Sequence, residues 1–243
     1  MSQQFTNVYE DHARADAYAQ LEFPGTYFLA FRDLPKLLHE HVHGCAALDF
    51  GCGTGRSTRF LRGLGFDPVG VDIAPSMLAR ARELDPQGDY RLVGDGDLSG
   101  LPTATYDLIL STFTFDNIPT LDRKATLLAS LRQSLKPSGR LVSLVSTPDI
   151  YVNEWASFST RDFPENRSVV SGGRVRIVML DVGDRRPVED VVCSNADYAR
   201  LYTAAGLQSV AMHCPLGSPT DGIDWVSETT VAPWAIYVLA PGA

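Results

Sequence analysis

The sequence predicts an α/β chain built on a mostly parallel sheet with helices on both faces. From Gly44 onward, short apolar or β-branched runs alternate with amphipathic stretches, which is the texture of strands joined by helical crossovers. A glycine-rich turn, "LDFGCGTG" at 48–55, follows the first of these runs, and Asp49, Asp72 and Asp95 stand at the ends of three successive runs. With 243 residues, 44% apolar and 21% charged, the chain can bury such a core without disulfides or metals.

Residues 3–43 read as helical and aromatic-rich. Phe5, Tyr9, Tyr18, Tyr27, Phe28 and Phe31 fall in two segments split by the Pro-Gly turn of "FPGT". Residues 1–44 are expected to form a helical lid segment packed on the core, and 45–243 the main domain. The pattern then predicts strands over 46–50, 67–72, 89–93, 106–112 and 140–146, with helices over 56–64, 75–84 and 122–135 between them. "KPSG" at 136–139 should stop the last helix and feed the fifth strand. Further on, 174–182 reads as a strand and 194–205 as a helix ended by Gly206. The late runs 208–213 and 234–239 close the sheet.

Gly51, Gly53 and Gly55 permit backbone conformations closed to other residues and let a ligand approach the main chain, while the helix beginning near Arg56 presents unpaired N–H groups. The dinucleotide fingerprint G-x-G-x-x-G fails, because its third glycine would fall at Arg56 or Thr58. No Gly-Lys-Ser/Thr follows, so a P-loop fails as well. Asp49 beside the loop suits a cationic amine or sulfonium. Asp72, about 20 positions after the loop, is placed to hold a ribose diol. Asp95 is placed to accept from an exocyclic amine such as adenine N6. Together they point to a cationic nucleoside.

The D-x-G-C-G-x-G turn, the second-strand Asp, "GD" after the third strand, "YDLILSTFTF" as the fourth and "LRQSLKPSGRLV" into the fifth resemble the class I S-adenosylmethionine-dependent methyltransferases of small-molecule type, over about 46–146. The resemblance implies a Rossmann-like seven-stranded mostly parallel sheet with an insertion after strand 5. It implies S-adenosylmethionine as cofactor and S-adenosylhomocysteine as product. It also implies cofactor roles: Asp49, Gly51, Cys52, Gly53 and Gly55 for the methionine end, Asp72 for the ribose, Asp95 with Gly96 for the adenine edge, Ile73 and Met77 flanking the ring, and Ser111 with Phe113 at the sulfonium.

The acceptor side is read from residues alone. "TFDNIP" at 114–119 puts Asp116 and Asn117 at the carboxyl edge, where ligands of open α/β sheets collect; Asp116 either orients an acceptor or caps the helix beginning near Asp122. It departs from the "NPPY"-like pattern of methyltransferases that act on planar amino groups. His12 is a candidate base, with a solvated helix residue as the alternative. Tyr151, Trp155 and Phe158 offer an apolar acceptor wall, or the buried stripe of an amphipathic helix at i, i+4, i+7. Tyr18 and Tyr27 read either as lid or as core. His39, His41 and His43 read as surface histidines, His213 as structural, and no metal site is expected. Arg174, Arg176, Arg185 and Arg186 should pair with Asp181, Asp184, Glu189 and Asp190 on a solvated face.

A net charge of −8 without a basic stretch argues against nucleic acid as partner. Four scattered cysteines suit a reducing cytoplasm, and neither a signal-like N-terminus nor a membrane-length apolar run is expected. The expected function is methyl transfer to a small organic metabolite, O-methylation ahead of N or C, by a monomer or homodimer. An S-adenosylmethionine-binding cyclase or a non-catalytic ligand-binding subunit are the alternatives on this fold.

Overall fold

A computed structural model describes residues 21–242; His12 and Tyr18 lie outside them. In chain order the elements are α1 (Thr26–Arg32), α2 (Leu34–His41), β1 (Ala46–Phe50), α3 (Arg56–Gly63), β2 (Asp67–Asp72), α4 (Pro75–Leu84), β3 (Asp89–Leu92), β4 (Tyr106–Thr112), α5 (Leu121–Ser134) and β5 (Leu135–Ser146). Then follow β6 (Phe158–Ser159), β7 (Arg174–Met179), β8 (Val188–Val191), α6 (Asn195–Ala204), β9 (Leu207–His213) and β10 (Trp234–Pro241). The large sheet has seven strands in the order β3-β2-β1-β4-β5-β10-β9. The first five run parallel, and β10 is antiparallel to both of its neighbours.

The central strands are buried on both faces, so their sequences are nearly unbroken apolar runs. In β4 every residue from Tyr106 to Ser111 is buried. One face, with Leu108, Leu144 and Ile236, packs under Leu29, Phe31 and Leu34 of the N-terminal helices. The other, with Ile109, Leu141 and Ala235, packs under Leu128 of α5 and Tyr198 and Tyr202 of α6. Leu29, Ala30, Phe31 and Leu34 thus belong to the core. The Thr120 hydroxyl caps α5 by accepting from Arg123 N–H at 3.2 Å, and Ser194 caps α6 through Asp197 N–H at 3.1 Å.

Three expectations are corrected. The fifth strand begins at Leu135, because "KPSG" is carried into the sheet through an irregular pairing with β4, anchored where Lys136 Nζ reaches both oxygens of Asp107 at 2.9 Å. The single strand expected at 174–182 is one member of a three-stranded antiparallel sheet, β6-β7-β8. Finally, residues 151–158 form no amphipathic helix. Tyr151 ends a short 3-10 turn, Pro148–Tyr151, and Phe158 opens β6. Side chains take the main-chain donors a helix would use: Glu228 accepts from Ala156 N–H and Glu154 from Thr160 N–H, each at 2.8 Å, and Thr26 Oγ1 from Ser157 N–H at 3.0 Å.

Candidate active site

The glycine turn leaves β1 and crosses the end of β2, where Gly51 and Cys52 both donate N–H to Val71 O, at 2.8 and 3.0 Å. Gly51, Gly53 and Gly55 all have positive φ, yet they do different work. A Cβ at Gly51 would stand 2.1 Å from Thr114 Oγ1, and one at Gly55 2.5 Å from the Tyr90 hydroxyl. These two let the turn pack against its own fold. A Cβ at Gly53 meets nothing within 4 Å, so that position leaves open space beside the main chain, the form of a cradle for a ligand. Gly51→Ala is therefore expected to lower stability by about 2 kcal/mol, from left-handed strain plus overpacking. A urea midpoint equal to the wild type's would contradict it.

Asp49 is fully buried beneath this turn. One oxygen accepts from Ser57 Oγ and Thr58 Oγ1, both at 2.6 Å, fixing the first turn of α3; the other has no partner. Burial pushes its carboxyl up to about 6 against the pull of those hydroxyls. Asp72, at the end of β2, accepts from Gly53 N–H at 2.8 Å and Ala74 N–H at 2.9 Å, so it ties the turn to the start of α4. Burial raises its carboxyl too.

A cleft of about 210 Å³ opens at the carboxyl ends of β1, β2 and β4. Because β1 lies between β2 and β4, this is where strand order reverses, the usual ligand position in such sheets. Of the expected cofactor residues, Gly51, Cys52, Gly53, Asp72, Ile73, Met77, Asp95, Gly96 and Phe113 line the cleft; Asp49, Gly55 and Ser111 do not. Asp95 is an exposed residue ion-paired with Arg123. Leu98, Ile118 and Leu127 add apolar wall that the sequence reading did not single out.

A second chamber of about 70 Å³ adjoins the cleft, sharing Arg56, Phe113 and Asn117 with it. Tyr27, Phe113, Phe158 and Trp234 form its aromatic wall, with Phe113 4.7 Å from Trp234 between ring centroids and Tyr27 5.1 Å from Phe158. Phe113 holds a left-handed backbone, φ 62°, an outlier for a bulky residue. It sits where the two spaces meet. Asn117 Nδ2 braces it by donating to Phe113 O at 3.2 Å.

Two carboxylates, Asp116 and Asp190, line the chamber together with Arg56, Asn117 and Ser146. Asp116 accepts from Ser146 N–H at 3.0 Å and from the Tyr198 hydroxyl at 3.4 Å, and does not cap α5. Asp190 accepts from the Tyr151 hydroxyl at 3.1 Å with one oxygen, while the other is buried without a partner. Burial raises both carboxyls, each like charge raises Asp190 further, and the buried Lys124 ammonium pulls both back.

Asp190 corrects the expectation of a solvated partner for the nearby arginines. The other pairs are partly as expected: Arg174 pairs with Glu189 at 2.6 Å and Arg186 with Asp184 at 2.8 Å, while Arg176 pairs with Glu165 at 2.6 Å. In β8 the side chains alternate, so Asp190 falls on the face of Val188, which also lines the chamber. Trp155 lies in the core with its indole N–H on Ile150 O at 2.8 Å and lines neither space. His213 pairs with Asp33 at 2.7 Å, away from both, while His39 and His41 sit in the last turn of α2.

A cleft at the switch point of a doubly wound sheet, cradled by a glycine turn and closed by an acidic strand end, defines a nucleoside-binding α/β protein. Residues 48–143 match the methyltransferase domain family. The carboxy-S-adenosyl-L-methionine synthase of Chromohalobacter salexigens is 33% identical over 129 residues, 49% of this chain and 47% of that protein. An uncharacterized methyltransferase of Geobacillus sp. is 30% identical over 148 residues, 58% of this chain and 67% of its own length. The chain thus spans about half the length of the first of these. The CcbJ methyltransferase from Streptomyces caelestis shares the fold, with a TM-score of 0.66 at 18% identity over 97% of this chain and 98% of that one. The chain belongs to the class I S-adenosylmethionine-dependent methyltransferases.

Proposed function

We propose that this chain transfers the methyl group of S-adenosylmethionine to a small organic molecule, with oxygen favoured over nitrogen or carbon as the acceptor atom. The observation that supports it best is the cleft itself: open space at Gly53 beside the main chain, with the Asp72 carboxylate, held by the Gly53 N–H, on its wall. Asp72 would hold the ribose hydroxyls and Ile73 and Met77 would flank the adenine. Asp95 and Gly96 would meet the adenine edge, and the 51–53 turn the methionine end. Asp49, Gly55 and Ser111 serve from behind the wall, Asp49 by fixing the start of α3. Phe113 stands between this space and the aromatic chamber, on the side where the sulfonium is expected.

When bound, the sulfonium supplies an already electrophilic methyl, so the chain's task is to align an acceptor with it and exclude water. The aromatic wall performs the second part. No helix among the described residues is long and apolar enough to cross a membrane, and the partner in this reading is a small molecule.

Calorimetry with S-adenosylmethionine and S-adenosylhomocysteine tests the reading, and absence of heat with both would refute it. Asp72→Ala is expected to weaken binding by about 1–3 kcal/mol, through lost charge-assisted hydrogen bonds. Label retained in the cofactor while substrate is consumed would favour a cyclase instead.

A further inference from the structure

The second chamber contains a polar group that no structural role accounts for. Asp116 is occupied: its oxygens receive Ser146 N–H and the Tyr198 hydroxyl. Asp190 is only half occupied, with one oxygen on the Tyr151 hydroxyl and the other buried with no partner. A buried carboxylate oxygen left unbonded is costly, by about 1–3 kcal/mol. Such an atom on the wall of a cavity is explained when a ligand supplies the missing donor.

We propose that this chamber holds the methyl acceptor, that the acceptor is a small molecule presenting a neutral O–H or N–H, and that the unbonded oxygen of Asp190 takes its proton; the inference rests on the S-adenosylmethionine reading of the adjoining cleft. The acceptor's O–H or N–H bond breaks, and its proton passes to Asp190. The electron pair left on the acceptor atom forms the bond to the methyl carbon, whose bond to sulfur breaks and leaves its pair there as a neutral thioether.

The surroundings select this chemistry. Tyr27, Phe158 and Trp234 suit a flat or apolar body; Asp116 and Asp190 disfavour a carboxylate or phosphate at their end of the chamber, and Arg56 lines it where it joins the cleft. The groups acting on Asp190 are Asp116 from the turn after β4, Lys124 from α5, Tyr151 from the turn after β5 and Glu189 beside it. Burial and then Asp116 hold its carboxyl well above the usual range, while Tyr151 and Lys124 restrain the rise. That poises it near neutrality, as a general base requires. Tyr151 and Asp116 are positioning residues.

The test uses the full chain, methyl-labelled S-adenosylmethionine and a panel of phenol, catechol, aniline, imidazole and benzoate, with S-adenosylhomocysteine affinity measured in parallel. Label is expected on a hydroxyl or an amine compound, the two arms separating oxygen from nitrogen acceptors, and none on benzoate. Asp190→Asn should slow turnover by about 10²–10⁴-fold with unchanged S-adenosylhomocysteine affinity, which also reports that the variant folds. Activity should rise with pH through the raised carboxyl. Asp116→Asn should move that rise to lower pH and Tyr151→Phe to higher pH, and a ¹³C-aspartate titration of the S-adenosylhomocysteine complex should show the same shifts without any acceptor.

Labelling of benzoate alone, no labelling of any hydroxyl or amine by protein that binds the cofactor, full turnover in Asp190→Asn, or an Asp190 carboxyl titrating in the ordinary range would each overturn the inference. Failure to bind S-adenosylmethionine at all would instead refute the cofactor reading on which it stands.

Discussion

Replacing Lys124 with Met is expected to destabilise the fold by about 3–5 kcal/mol at pH 8, the usual cost of removing one partner from a buried charge group. Its ammonium is fully buried, donates to Phe115 O, and lies near Asp116 and Asp190. Burial lowers its own pKa while Asp116 restores it. The penalty should depend on pH in a definite sense. Asp116 and Asp190 have raised pKa values in the folded chain, so their contribution is fully present below the unfolded value of about 4 and is lost as pH rises through the folded one. Without Lys124 both rise further. The variant should therefore lie close to the wild type in urea midpoint at pH 5 and far below it at pH 8. An equal deficit at both values would show that Lys124 acts by packing and not as their counter-ion.

Gly53→Leu should reduce affinity for S-adenosylmethionine by at least about 100-fold, about 2.7 kcal/mol, with a stability loss of about 1–2 kcal/mol from left-handed strain. The asymmetry follows from position: Gly53 has φ 53°, and a side chain there meets no protein atom within 4 Å, so the fold tolerates the bulk that a ligand in the cleft would not. Gly53→Ala carries the same strain with less bulk. Calorimetry on both variants separates occlusion from strain; equal affinity losses would assign the effect to the backbone.

Asp49 extends the pH argument to the cofactor side. With its carboxyl raised to about 6 by burial, ionising it opposes folding, so stability is fullest below about 4 and falls as pH rises through 6. Together with the Asp116 and Asp190 pair, this predicts a melting temperature higher near pH 5 than near pH 8. A maximum at pH 8 would contradict the burial of these groups.

Most of the scaffold is legible in short windows. The runs at 46–50, 67–72 and 106–112 form strands with the expected bounds, since strand and helix patterns repeat over a few residues. The glycine turn and Asp72 come together for the same reason, a strand end followed by a turn that only glycine backbones can make. The segment 151–191 is less legible. Its strands are short and one, "VEDV", is flanked by Arg185, Arg186 and Pro187, so charge composition outweighs periodicity and suggests a solvated face. One signal existed: Val188 and Asp190 share a face in any strand through them, which puts an acidic residue beside an apolar one.

The succession of strands and helices, the glycine cradle and the acidic end of β2 are properties of local pattern, because backbone conformation and side-chain periodicity are set by near neighbours in the chain. The acceptor chamber is a property of closure. Asp116, Lys124, Tyr151 and Asp190 come from a turn, a helix, another turn and a small separate sheet, and their charges acquire meaning only once packing removes water between them. Desolvation and the distance to a neighbouring charge decide whether a carboxylate is a surface ion or a base, and neither is written in sequence spacing.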